Sequence, residues 1–168
     1  MLERDQVYEA QALKEATLRR NLWRDKELVE RIHRQLTDGL SKEIVGAAAS
    51  YDNLLHPEQK IRLRADKMSV SLIDGGSPLV TCHFDTTSAG YVSLRLECHG
   101  GEQTAEQLRL EPIDHGRFVW SSAAGPRILA ADLATYILRK LIGTAIEEVN
   151  REISTQNATL SQNGRAAR

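Results

Sequence analysis

Between Met68 and Trp120 a series of short runs sets apolar residues at even positions, and this alternation constrains the chain more than any other feature. Met68, Val70 and Leu72 alternate with Ser69 and Ser71. Val80, Cys82 and Phe84 alternate with Thr81 and His83. Val92, Leu94, Leu96 and Cys98 alternate with Ser93, Arg95 and Glu97, and Leu108 and Leu110 with Arg109 and Glu111. Phe118 and Trp120 flank Val119. A strand points successive side chains to opposite faces, so each segment has one apolar and one polar face. Half-buried antiparallel sheets read this way, because one side can stay in water.

The turn residues between these runs predict a meander of five or six strands. Asp74-Gly75-Gly76-Ser77-Pro78 closes a hairpin that sets Leu72 opposite Val80. For the next hairpin the pattern suggests Phe84 opposite Val92 and Cys82 opposite Leu94. For the one after, Leu96 falls opposite Leu110 and Cys98 opposite Leu108. That last pairing also sets Arg95 against Glu111 and Glu97 against Arg109, charge pairs worth about 0.2–1 kcal/mol each. The segment from Lys60 to Arg64 is ambiguous, because its apolar residues are odd-numbered. Ala65-Asp66 is a poor two-residue hairpin loop, so a bulge within one long strand is the favoured reading.

Helical texture flanks the sheet. Residues 2–56 contain no proline and are rich in Glu, Lys, Arg, Leu and Ala, which predicts two or three helices. Leu18, Leu22, Val29, Ile32 and Leu36 fall on one helical face. Asp25 interrupts that stripe and could cap a new helix, with Trp23 near the joint. Asp38-Gly39 reads as a stop with left-handed Gly39, Ser41 as the next cap, and Pro57 as the exit. A long C-terminal helix is expected to open near Pro126 and to present Leu129, Leu133, Tyr136, Ile137, Leu141, Ala145, Val149 and Ile153 on one face. The class is therefore α+β: an antiparallel meander covered on one face by a long C-terminal helix. The chain divides into a helical region 1–56, a sheet-plus-helix unit 57–153, and a disordered polar tail 154–168.

Composition narrows the function classes. The 168 residues carry 22 Lys+Arg against 23 Asp+Glu, so a dedicated nucleic-acid binder is not expected. No run approaches a membrane span, and Met1-Leu2-Glu3-Arg4-Asp5-Gln6 lacks the apolar stretch of a secretory signal. With two cysteines, a cytoplasmic, reducing location is the expectation. Lys60, Arg62, Arg64 and Lys67 form a basic cluster, read as charge guarding a sheet edge.

Few residues suggest chemistry. Cys82-His83 and Cys98-His99 resemble a metal site, but the pairing above separates the sulfurs by roughly 13 Å, too far for one zinc or a disulfide. His99-Gly100-Gly101 reads as a turn, since no nucleophile elbow accompanies it. Neither a metal nor a cofactor is expected. Three functions remain, in this order. The first is a non-catalytic interaction module, self-associating as a homodimer through Leu18, Leu22, Val29, Ile32 and Leu36, or binding a protein partner. The second is a small-molecule-binding domain whose apolar cavity is lined by Phe84, Phe118, Trp120 and Tyr136. The third is an enzyme using His83 with Asp85 and Ser93, or Asp114 with His115.

Overall fold

A computed structural model of the chain describes residues 2–53, 61–113, 117–123, 125 and 127–166. The architecture is α+β: a bent N-terminal helical arm, a seven-stranded antiparallel meander curled into a half-barrel, and a long C-terminal helix packed on the sheet. The arm consists of α1 (Leu2–Asp38) and α2 (Leu40–Asn53), and the final helix is α3 (Leu133–Ala166). The strands are β1 (Ile61–Ala65), β2 (Ser69–Asp74), β3 (Ser77–Asp85), β4 (Tyr91–Cys98), β5 (Gln103–Ile113), β6 (Arg117–Ser121) and β7 (Ile128–Leu129). Each pairs with its sequence neighbour, so β1 and β7 are the edges.

The even-numbered face of the sheet is the core face. Val70, Leu72, Val80, Cys82, Phe84, Val92, Leu94, Leu96, Leu108, Leu110 and Trp120 are all buried. From α3 they meet Leu133, Ile137, Leu141 and Ala145, and from α2 Leu40, Ile44 and Ala48, in one continuous cluster. Met68 is the exception: it sits in the loop before β2 and is exposed.

Two hairpin registers differ from the sequence expectation. In β3–β4, Cys82 lies opposite Leu96 and Phe84 opposite Leu94, a slip of two residues. The loop takes the extra length because Asp85 Oδ1 accepts the Thr87 N–H at 2.8 Å and Ser88 O accepts the Tyr91 N–H at 3.0 Å. Gly90 closes this turn at φ 78°, and a Cβ there would stand 3.4 Å from Val29 of α1. In β4–β5, Leu96 faces Thr104 and Val92 faces Leu108, a slip of six. His99-Gly100-Gly101 closes that hairpin tightly, with Cys98 N–H donating to Glu102 O at 2.9 Å. The expected pairing would have left Gln103–Glu106 without a partner strand. The Arg95–Glu111 and Glu97–Arg109 pairs are consequently not formed. The slips are even-numbered, so every side chain keeps its face.

The β1–β2 region forms two strands rather than one bulged strand. Leu63 lies opposite Leu72 and Ala65 opposite Val70. Asp66 makes the connection by donating its N–H to Ser69 O at 2.8 Å while its carboxylate accepts the Lys67 N–H. Directly paired residues share a face, which is how odd-numbered Leu63 enters an even-numbered core. The irregularity falls instead between Leu72 and Ile73, opposite Pro78, which has no N–H to give the ladder. Leu72 opposite Val80 stands as expected, with Gly75 and Gly76 at φ 58° and 95° in the turn.

The helices also depart from expectation. α1 runs straight through Asp25, which is exposed and therefore interrupts no packing. α1 does stop at Asp38, as Asp38-Gly39 predicts, but the turn is tight: the Gly39 carbonyl accepts the Glu43 N–H at 3.0 Å, and α2 begins at Leu40, one residue before Ser41. Gly39 is absent from the positive-φ glycines. Pro57 and Pro126 lie outside the described residues. Ile128 and Leu129 do not open the last helix; they pair with Trp120 and Val119 as β7, a 3-10 turn follows, and α3 starts at Leu133. The helix then continues to Ala166, through residues expected to form a disordered tail.

Candidate functional site

Both long helices outrun the sheet they pack on. At 1.5 Å per residue α1 is about 55 Å long and α3 about 51 Å, against roughly 27 Å for an eight-residue strand. In α1, residues 11–21 and 24–27 are exposed, and only the turns from Leu28 onward approach the core. In α3 burial ends at Glu148, and residues 149–159 are exposed. The overhangs carry apolar side chains, Leu13 71% and Leu18 61% exposed on α1 and Val149 39% and Ile153 51% on α3, and Ile146, 57% exposed just before the last buried residue of α3, adjoins them. The last three follow spacings of three and four, so they share a helical face and continue the line of Ile142.

The N-terminal stripe is thus divided between two environments. Val29, Ile32 and Leu36 pack against the core of their own chain. Leu18 projects into solvent. The side chains of Leu22 and Trp23 lie outside the described residues. His33 was missed by the sequence reading, yet it anchors the packed half: it is 5% exposed and stands edge-on to Trp120, with ring centroids 5.9 Å apart.

The four aromatic residues proposed to line a cavity are not gathered round one. Trp120 and Phe84 are buried in the core cluster, while Phe118 and Tyr136 are half-buried against it. Phe84 borders an open hollow along β3, β4 and β5, lined also by Met68, His83 and Arg95, and Tyr136 borders a separate depression near β7.

Where the long helix crosses β5, the core face holds a polar cluster. Glu106 points inward opposite Leu94. Both of its oxygens accept from Tyr136 Oη at 3.0 Å, and Lys140 Nζ contacts one of them. Burial lowers the pKa of the Lys140 ammonium and raises that of the Tyr136 phenol. It also pushes the Cys82 thiol up to about 12, with nearby Lys140 acting weakly the other way. Cys82 is accordingly a protonated core residue and a poor nucleophile. About two turns beyond Lys140, Glu148 is 6% exposed and accepts from Arg151 Nη1 at 3.3 Å, and Arg151 also contacts Glu102.

Cys82 and Cys98 are both free. Their separation is smaller than the expected pairing implied. Cys98 lies opposite Val80, two residues from Cys82, so the two are diagonal neighbours on the core face, about 7–8 Å apart. Burial raises the Cys98 pKa, and the Glu148 carboxylate adds to it. Among the described residues no three His, Cys, Asp or Glu side chains cluster closely enough to hold a metal ion.

The outer sheet face does not assemble the proposed acid–base set. His83 lies opposite Arg95 rather than Ser93, and its Nε2 is 3.8 Å from Glu97. Asp85 lies opposite Ser93, but its carboxylate is committed to the turn: the Thr87 backbone N–H holds its pKa below the usual value. Asp114 and His115 lie outside the described residues. At the β1 edge, Asp52 of α2 accepts the Leu63 N–H at 3.2 Å and stands 4.0 Å from Arg62. The basic strand thus has its outward amide capped by a carboxylate; Lys60 lies outside the described residues. Among the described residues no helix is long and apolar enough to cross a membrane.

Set against protein-family models, curated proteins and solved structures, the chain matches none of them.

Proposed function

We propose that this protein is a non-catalytic interaction module that self-associates through its helices, in the cytoplasm, where its two free thiols would stay reduced. One observation carries the reading. Ile146, Val149 and Ile153 form an exposed apolar line that starts on the packed part of α3 and runs on past its last buried residue, Glu148, and α1 exposes Leu13 and Leu18 where it leaves the core. Isolated apolar side chains on a surface need no explanation, but a line at helical spacing that runs onto an unsupported stretch of helix does. A projecting helix gains little from tertiary packing of its own, and packing is the main source of helix stability in proteins. A second copy supplies the missing contact at the least cost in new surface, and twofold dimers are the commonest assemblies.

The direct test is Ile146→Glu/Ile153→Glu. These positions are exposed, so the thermal unfolding of the domain should stay close to that of the parent protein. Sedimentation velocity at micromolar concentration should show the doubly substituted chain as a slower, monomeric species. A variant that sediments like the parent would remove the apolar line from the account.

A further inference from the structure

Three pairings would cover the overhangs in a dimer: α1 on α1, α3 on α3, or α1 of one copy on α3 of the other. Charge separates them. The projecting part of α1, residues 11–27, carries five basic and three acidic side chains. The end of α3 over residues 146–159 reverses this, with three acidic side chains and one basic. That one base, Arg151, already serves Glu102 and Glu148 within its own chain. Glu147 and Glu152 are exposed on α3, and Arg19, Arg20 and Arg24 are exposed on α1. None of these five has an ion-pair partner among the described residues.

Pairing α1 with its own copy would bring together two segments with a net excess of basic side chains, although each also carries Glu15, Asp25 and Glu27. Pairing α3 with its own copy would bring carboxylates toward carboxylates. The crossed arrangement is the one that sets segments of opposite net charge together, Arg19, Arg20 and Arg24 toward Glu147 and Glu152, while it covers Leu13 and Leu18 with Ile146, Val149 and Ile153. Like-charge juxtaposition is what excludes wrong partners at interfaces, whereas the apolar contacts supply the adhesion.

We propose that the dimer is reciprocal, with α1 of each protomer lying along α3 of its partner. A twofold axis makes both contacts identical, so the two overhangs are covered in one closed assembly. The inference rests on the self-association proposed above and adds which surface meets which. It also implies that raising the salt concentration weakens the dimer, because exposed pairs are screened.

The test is charge reversal on each helix separately, read by sedimentation equilibrium of the full chain. One variant is Arg19→Glu/Arg20→Glu/Arg24→Glu and the other Glu147→Arg/Glu152→Arg. Each alone should weaken self-association by about tenfold or more, since both contacts of its homodimer become like-charged. An equimolar mixture should recover a heterodimer of parental strength. One of its contacts joins the two reversed helices and the other joins the two unaltered ones, so both are complementary. If the α1 variant dimerises as the parent does, α3 pairs with α3 and the proposal fails; if the α3 variant does, α1 pairs with α1 and it fails equally. A mixture that stays weak also overturns it. In all three cases the parental dimer, and with it the self-association reading, survives, whereas a parental monomer would end both. Far-UV circular dichroism checks folding. Replacement of the same five residues by glutamine, helix by helix, provides a milder series that should weaken the dimer in the same order.

Discussion

His33 of α1 stands edge-on to Trp120 of β6, and its Nε2–H donates to the carbonyl of Tyr91 at 2.8 Å. One side chain thereby ties the first helix to two strands. Trp120 is fully buried, and its indole Nε1 has no acceptor among the described residues, so packing alone holds the ring. The half of α1 beyond His33 owes its position to this attachment together with Val29, Ile32 and Leu36.

His33→Ala removes an aromatic contact and leaves the Tyr91 carbonyl without its donor. The loss should be about 2–3 kcal/mol, summing an aromatic pair with an unsatisfied buried acceptor. Urea unfolding of the variant and the parent measures it. A change below about 0.5 kcal/mol, the usual range for surface substitutions, would mean that the helix is held elsewhere.

Burial of Cys82 gives the fold an alkaline weakness. The thiol has an ordinary pKa of 9.0 and one of about 12 when folded, so the unfolded chain loses this proton first. The stability tied to it is complete below pH 9.0 and drains away as the pH rises towards about 12. Over that window the slope approaches 1.4 kcal/mol per pH unit, about one proton's worth. Tyr136 acts in the same direction, since burial raises its pKa too. Cys82→Ala should be less stable than the parent at neutral pH, and the gap should narrow above pH 9. A constant gap across that range would show that the thiol ionises as freely in the folded protein as outside it.

Glu106 makes the polar cluster necessary. A carboxylate on the core face is tolerated because Tyr136 and Lys140 reach it. Lys140→Met leaves that charge short of a partner and should cost about 2–3 kcal/mol, less than for a fully buried pair because both side chains keep some exposure. Glu106→Gln/Lys140→Met removes both charges, and thermal denaturation should show it more stable than Lys140→Met alone. A double variant that is less stable than the single would show that Tyr136 alone suffices to hold the Glu106 charge.

The β1 edge should depend on Asp52. Asp52→Ala exposes the Leu63 N–H and the strand that carries it. The expected loss is about 1 kcal/mol for one charge-assisted hydrogen bond, with faster aggregation on heating as the edge becomes free to pair. Light scattering during a thermal ramp reads the second effect. Unchanged scattering would mean that the arginines of β1 guard the edge by themselves.

The fold class was legible because face and register are separate problems. Alternation fixes the face, and neither hairpin slip disturbed it: both were even, so Leu96 and Leu110 share the core even though they are not partners. Register depended on loop chemistry that alternation does not encode, such as the Asp85–Thr87 turn and the tight closure at Gly101. The inward Glu106 was hidden because the alternation of this segment was read from Leu108 onward, and a charged residue before it attracts no notice. Lys140 and Tyr136 could not be joined to it without knowing how α3 crosses the sheet. The N-terminal stripe was seen as one surface, although Asp25, which interrupts it, stands close to where packing within the chain gives way to solvent.

The central claim is that the projecting helices are covered by a second copy of the chain, and the molar mass in solution tests it most directly. Size-exclusion chromatography with multi-angle light scattering at micromolar concentration should return twice the chain mass of 18.8 kDa. A single peak at 18.8 kDa that does not move with concentration would contradict it.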